Sequence, residues 1–339
     1  MFDPAASASG RGSVAEQPLA LQSGAGRDRR VVVTGAAGFV GSHTCRALAA
    51  DGWKVRALVR NAAKAAERLA HLPVEIRLGD ILDAAYLRSS MDGAFAVVHL
   101  AAVAIERDGD TYQSVNVEAT RAVIDAANLA KVRRIIHMSQ NGSDSASPYR
   151  FLRSKGMAQD LVTSSDLEWT ILRPSVIFGR EDEFANVLAR LVRLTPLVLP
   201  LPAHGRARFQ PIAVDDVATV IALSLATDST QRQLLPLGGS AQLTLRQIAE
   251  RVLVAMKARR MILGLPTGMI RPLVSALWHL VPRPPVTADL LELLALDNTV
   301  RDNALTEVFG VSPIPFAPEE LLYLRNVSAS DALRALFKR

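Results

Sequence analysis

The chain of 339 residues holds a single cysteine, Cys45. One thiol cannot build an internal disulfide framework or a cysteine-based metal centre, and its isolation fits a reducing compartment. Cys45 lies in a helical stretch and reads as a small packing residue. Long uncharged apolar runs are also missing. None reaches the roughly 18 residues that suggest a membrane-crossing helix. Acidic residues are absent between Arg251 and Ala288, a stretch that carries Arg251, Lys257, Arg259, Arg260, Arg271 and Arg283. A second basic group, Arg27, Arg29 and Arg30, stands beside the first strand. The net charge is +6 and the isoelectric point is near 9.8. No nucleic-acid motif accompanies either cluster, so no nucleic-acid partner is expected, and no metal site is expected either. An anionic cofactor together with an acidic membrane or protein surface explains the excess, as do plain solvated basic faces.

The composition, 49% hydrophobic and 21% charged, is that of a globular protein with a large core in one or two domains. Residues 1–28 are rich in Ala, Ser, Gly and Gln without apolar period and read as a disordered leader. Beyond them stands the most informative stretch, Val31-Val32-Val33-Thr34-Gly35-Ala36-Ala37-Gly38-Phe39-Val40-Gly41. Three β-branched residues precede glycines spaced three apart, and a helix-forming run follows. Glycine at the first position permits a tight turn. At the second it lets a pyrophosphate approach the backbone, and at the third it lets helix and strand pack closely, with phosphate on the helix N-terminus. Strand, turn, helix and a further strand are the context this motif requires.

The second strand, Lys54 to Arg60, ends where the adenine ribose would lie. An acidic residue there suits the 2′-hydroxyl of NAD, but the chain places Arg60, with Lys64 a turn later. A guanidinium can pair with a 2′-phosphate, so NADP(H) is expected over NAD(H). A third strand ends in Gly79-Asp80-Ile81, where Asp80 suits either the adenine amino group or a helix cap. A fourth, Ala96 to Leu100, ends in Ala101-Ala102, small residues that would let a ribose lie against the backbone. His99 reads as a strand-end residue. Helical spacing of apolar residues predicts a helix over 115–130, and Arg134 to Ser139 reads as a fifth strand. Four βα units in sequence predict an α/β fold with a doubly wound parallel sheet of Rossmann type over 29–172. A smaller C-terminal lobe and completion of the sheet are expected over 173–339.

The stretches 34–41, Gly79-Asp80, His99-Leu100-Ala101-Ala102, Asn116-Val117 and Ser154-Lys155 resemble the short-chain dehydrogenase/reductase superfamily in its extended or atypical branch. Arg173-Pro174-Ser175-Val176-Ile177-Phe178-Gly179, Arg208-Phe209-Gln210-Pro211, Val214-Asp215-Asp216-Val217 and Asp297-Asn298 look like the NDUFA9-like group. That group contains an accessory subunit of respiratory complex I and its bacterial relatives. The resemblance implies that Gly35, Ala37, Gly38, Phe39, Val40, Gly41, Arg60, Lys64, Asp80, Ile81, Leu100, Ala101, Ala102, Asn116, Lys155, Arg173 and Pro174 surround a nicotinamide dinucleotide. It also implies a Tyr-x-x-x-Lys pair on one helix face, the lysine holding the nicotinamide ribose while the phenol passes a proton. Lys155 is present, but Phe151 stands at the tyrosine position. Tyr149 is six residues before the lysine, about 240° around a helix, and serves only if the helix starts later or the loop bends inward. Ser139 closes the fifth strand as a doubtful hydroxyl partner, and Asn116 fits the asparagine that would support the lysine. The cofactor half of the constellation is intact, and the proton-transfer half is damaged.

In the second half, Arg206, Arg208 and Gln210 lie in a loop that relatives turn toward substrate, or are plain surface residues. Asp215-Asp216 would open a helix running from Val217 to Ala226. The segment 261–285 is amphipathic, with Pro272 placed for the first turn of a short helix, and suits either a peripheral membrane contact or a buried lobe cap. The expected function is a non-catalytic or weakly catalytic NADPH-holding accessory protein. Its expected partners are respiratory complex I subunits or quinone-biosynthesis proteins, on the cytoplasmic or matrix-like side of a membrane. An active NADP-dependent oxidoreductase or epimerase-type enzyme is the first alternative, and an NADP(H) redox sensor the second.

Overall fold

The computed structural model describes residues 28–282 and 286–337, apart from the side chains of Leu273, Leu277, Trp278 and His279. Residues 1–27 of the leader expected over 1–28, and 283–285 of the amphipathic segment, lie outside that description. Six strands alternate with helices from the start: β1 (Arg30–Thr34), α1 (Phe39–Ala50), β2 (Lys54–Val59), α2 (Ala62–Leu69), β3 (Glu75–Leu78), α3 (Ala84–Met91), β4 (Ala94–His99), α4 (Ala119–Leu129), β5 (Arg134–Met138), α5 (Arg150–Thr163) and β6 (Glu168–Pro174). A seventh strand, Gln233–Leu237, joins them. The sheet order is Gln233–Leu237, β6, β5, β4, β1, β2, β3, and every pairing in it is parallel. The strand order reverses on either side of β1, so the doubly wound topology expected from the βα alternation is present.

The apolar runs in the strands follow from burial on both faces. Val31 and Val33 of β1 enter one core with Cys45 and Leu48 of α1, whereas Val32 enters the other with Val97, Ile135 and Ile171. Cys45 is fully buried, and burial pushes its thiol up to about 12, as a packing residue requires. The helix Val214–Ala226 covers the same face as α1. It begins three residues earlier than the sequence indicates, which puts Asp215 and Asp216 inside its first turn, where carboxylates complement the dipole.

Two elements depart from expectation. The helix predicted over 115–130 is preceded by a wide π turn, Tyr112–Glu118, capped by Thr111 and Ser114. The second departure is in the C-terminal lobe. Its main core gathers Phe178, Val192, Leu199, Phe209, Ile248, Val252 and Phe316. Against the lobe lies the helix Thr267–Leu280, whose Pro272 falls in the second turn rather than the first. There its missing N–H deprives the Gly268 carbonyl of a helical donor. Ile270 and Val274 are buried with Val187 and Leu291, while Met269 and Leu280 are exposed, so the helix caps the lobe and shows an apolar side as well.

The glycine turn is held by backbone contact. A Cβ on Gly41 would collide with the Gly35 carbonyl oxygen and with Ala36. Gly35 has φ +66°, and a Cβ there would sit 2.8 Å from the Ala101 nitrogen. Because both obstacles are backbone, neither can swing aside. Gly41→Ala is therefore expected to lose at least the ~1–3 kcal/mol typical of overpacking, read as a lowered urea midpoint at unchanged slope.

Candidate functional site

β1 ends at the glycine turn, and α1 starts at Gly38, which has extended backbone and lets the helix end open outward. No side chain caps this helix and no acid occupies its first turn. An uncapped N-terminus keeps its N–H groups and positive dipole end for an anion. Beside it lies a cleft of about 300 Å³, lined by Gly35, Ala37 and Gly38, by Arg60, Asn61 and Lys64, by Asp80, Ile81 and Leu82, and by Leu100, Ala101, Ala102 and Val103. The lining therefore comes from the C-terminal ends of β1, β2, β3 and β4, where the doubly wound topology places ligands.

The sequence placed most of these residues. Phe39, Val40 and Gly41 form the first turn of α1 behind the glycines rather than the wall of the cleft. Asp80 takes the Leu82 N–H at 2.9 Å, while Asp83 is the residue that caps α3, so Asp80 is left facing the cleft. Sequence reasoning missed Asp110. It lines the same cleft and takes both guanidinium arms of Arg60, at 2.8 and 2.5 Å. The pairing holds the Asp110 carboxyl below the usual carboxylate range and raises the Arg60 guanidinium. Fifty residues separate the two, so no local pattern joins them.

The other expected residues, at the ends of β5 and β6, do not line this cleft. Lys155 is buried in α5 and its Nζ donates to the Met138 carbonyl at 2.6 Å. Burial without a carboxylate partner lowers the ammonium to about 8. Asn116 binds Val103 through both ends of its amide, at 2.9 and 3.1 Å, and donates to Ser154 Oγ at 3.0 Å. It thus pins the cleft wall to the helix that carries Lys155. Gly156, next to the lysine, lets α5 press on the loop at Asp144 and Ser145, where any Cβ would collide with backbone. Arg173 donates to the Ser143 carbonyl at 3.0 Å, and Pro174 is buried at the end of β6. Under this floor His99 and His137 stack at 5.4 Å. His99 bonds Thr34 and Thr120 at 2.7 and 3.0 Å, so it is a strand-end residue that orders the turn. Burial and the nearby lysine push both imidazoles down, His99 to about 3, and keep them neutral.

Four further candidates, Tyr149, Gln210, Arg206 and Arg208, lie outside the lining of this cleft. Tyr149 is the N-cap residue of α5, which starts at Arg150, so the helix does begin after it, the condition under which this phenol could serve. Phe151, at the tyrosine position, packs instead against Tyr112, with ring centroids 5.8 Å apart. Tyr112 does not replace the missing phenol, because its hydroxyl donates to the Ala104 carbonyl and its proton is held more tightly than usual by burial and neighbouring carboxylates. Gln210 is buried, its amide donating to the Gly239 carbonyl and accepting from the Val300 N–H, rather than displayed on a surface loop. Arg206 and Arg208 are exposed and line a separate basic cleft with His204 and Arg246, which shares no residue with the first. Ser139, also buried, approaches Gln159 at 3.4 Å.

Known proteins resemble the chain over most of this framework. Subunit 9 of the NADH dehydrogenase [ubiquinone] 1 alpha subcomplex of Arabidopsis thaliana is 28% identical over 290 residues, covering 80% of this chain and 71% of that protein. A ceramide reductase of Caulobacter vibrioides is 34% identical over 188 residues, 56% of this chain and 58% of the relative. The NADPH-dependent quinone oxidoreductase of Escherichia coli, solved with NADPH, superposes with a TM-score of 0.66 over 87% of this chain and 100% of its own, at 20% identity, and shares the fold. A family model described as NAD(P)H-binding matches residues 35–228, which hold the glycine turn, Arg60, Asp80, the β4 end and Lys155. The chain belongs to this NAD(P)H-binding family.

Proposed function

We propose that the protein holds NADP(H) as an accessory subunit or accessory factor of a respiratory or quinone-linked assembly, with little or no turnover of its own. The observation that carries this reading is the contrast between the two ends of the cofactor region. The adenosine end has an uncapped helix terminus, a glycine turn and two basic residues, Arg60 and Lys64. At the reacting end Phe151 stands where the proton donor is needed and packs against Tyr112. Nicotinamide dinucleotides supply hydride chemistry when bound. This chain's own residues would bind the pyrophosphate at α1, read the adenine ribose with Arg60, and set Lys155 behind the nicotinamide ribose. The similarity to complex I subunit 9 over 80% of the chain supports an accessory role.

A peripheral contact with an anionic membrane fits the same reading. The strand Met261–Gly264 pairs with Val198–Leu201 and leaves Met261 and Leu263 exposed, as is Leu197. The separate cleft supplies Arg206, Arg208 and Arg246 on the same lobe, with no acid in its lining. Among the described residues no helix is long and apolar enough to cross a membrane. The enzyme reading survives on Lys155 and Asn116, which are in place in the core, and on the ceramide reductase relative.

Replacing Arg60 with Ala is expected to weaken NADPH about 10–100-fold and NADH little, since a charge-assisted pair contributes ~1.5–3 kcal/mol. Equal losses for both nucleotides, measured by fluorescence titration, would remove NADP(H) preference. Vesicle flotation is expected to recover the protein with anionic but not zwitterionic lipid, and Met261→Glu with Leu263→Glu to abolish recovery. Activity decides between accessory and enzyme. NADPH oxidation with simple carbonyls or quinones is expected at background, and steady turnover that Lys155→Ala eliminates would establish catalysis. Lys155 also makes a pH prediction. Its folded value near 8 lies below the unfolded value of 10.5, so its burial penalises folding below pH 8 and the penalty fades as pH rises from 8 to 10.5. Stability of the wild type relative to Lys155→Met is expected to increase by up to about 3 kcal/mol across that window. A flat difference would show that the ammonium is not desolvated.

A further inference from the structure

We infer that Asp110 determines cofactor discrimination by competing with a ribose 2′-phosphate for the Arg60 guanidinium. The inference rests on reading the cleft as an NAD(P)H site. Arg60 presents a planar fork, and Asp110 already fills it with two parallel bonds. A 2′-phosphate needs that same fork, because bidentate pairing is how a guanidinium distinguishes phosphate from hydroxyl. While the ion pair is closed its two charges cancel. An arriving phosphate then also meets the carboxylates of Asp110 and Asp80, opposed by the exposed Lys64 on the same cleft. The 2′-hydroxyl of NAD(H) carries no charge and leaves the ion pair closed.

Asp110 is placed by its own strap and not by Arg60. After β4 the chain is held at Val103 by Asn116. It then reverses through reciprocal backbone bonds between Arg107 and Asp110, at 3.1 and 2.8 Å, with Asp108 and Gly109 at positive φ. Glu106 secures the strap by accepting from the Tyr112 N–H at 2.9 Å and by pairing with Arg150 at 2.8 Å. Removing the charge at Asp110 therefore leaves the strap seated, and the effect should be confined to the nucleotide that needs the fork.

The test is a double-mutant cycle on the full chain, with NADPH and NADH affinities measured by fluorescence titration for wild type, Asp110→Asn, Arg60→Ala and the pair. Asp110→Asn is expected to tighten NADPH about tenfold and to leave NADH within about threefold. In the Arg60→Ala background the gain in the NADPH-to-NADH ratio should be clearly smaller than in the wild type, since only repulsion by the bare carboxylate, and no competition for the guanidinium, is left to relieve. An unchanged ratio, or a parallel change for both nucleotides as a merely structural strap residue would give, overturns the inference while leaving the cleft's assignment intact. A gain as large without Arg60 as with it overturns it too, by showing simple repulsion. Failure of every variant, wild type included, to bind either nucleotide overturns the assignment of the cleft and the inference with it.

Discussion

The structure depends on one close approach. The first turn of α1 lies so near the end of β1 that the Gly35 carbonyl occupies the space a side chain at Gly41 would need. The end of β4 closes on the same turn from the other side, at Ala101. This contact aims the helix terminus at the cleft and leaves its first N–H groups without an internal partner. It also brings together the ends of four parallel strands, around which the cleft is built, with Lys64 added from α2 and Asp110 from the loop after β4. Larger residues at these glycines would push the helix off the sheet and remove the anion site in the same step.

Away from that point the cofactor region divides in two. The adenosine end is open, charged and adaptable, with Arg60, Asp110, Asp80 and Lys64 around one cleft. At the far end Lys155, His99, His137 and Asn116 are buried. Lys155 faces a backbone carbonyl, the two histidines beneath it stay neutral, and Phe151 packs at a tilt against Tyr112. A catalyst tunes a proton donor at the reacting atom, whereas here Phe151 stands at that helix position and the Tyr112 hydroxyl is spent on the Ala104 carbonyl. Specific grip on a dinucleotide with weak chemistry is what this division supports.

Much of this was legible in the sequence because it is local. The valine run, glycine spacing and helix-forming tail of 31–50 dictate strand, turn and helix within a single window, and the five leading strands fall within two residues of expectation at each end. What was hidden is set by contacts distant in the chain. Asp110 meets Arg60 across fifty residues, Gln210 is consumed by Gly239 and Val300, and the seventh strand finds β6 some sixty residues after it. Arg206 and Arg208 fall in a loop that relatives turn toward substrate, and read equally as plain surface residues. Only the packing of the lobe shows that they face a different cleft. Pro272 was expected in a first turn, where its missing donor is harmless, yet the helix extends five residues before it.

The central claim, that the cleft holds NADP(H), is tested most directly by denaturing freshly purified protein and identifying the released nucleotide by mass spectrometry. The account predicts NADPH or NADP in near-stoichiometric amount. Release of NAD(H) instead, or a preparation that is empty and takes up no NADPH when supplied, would contradict it.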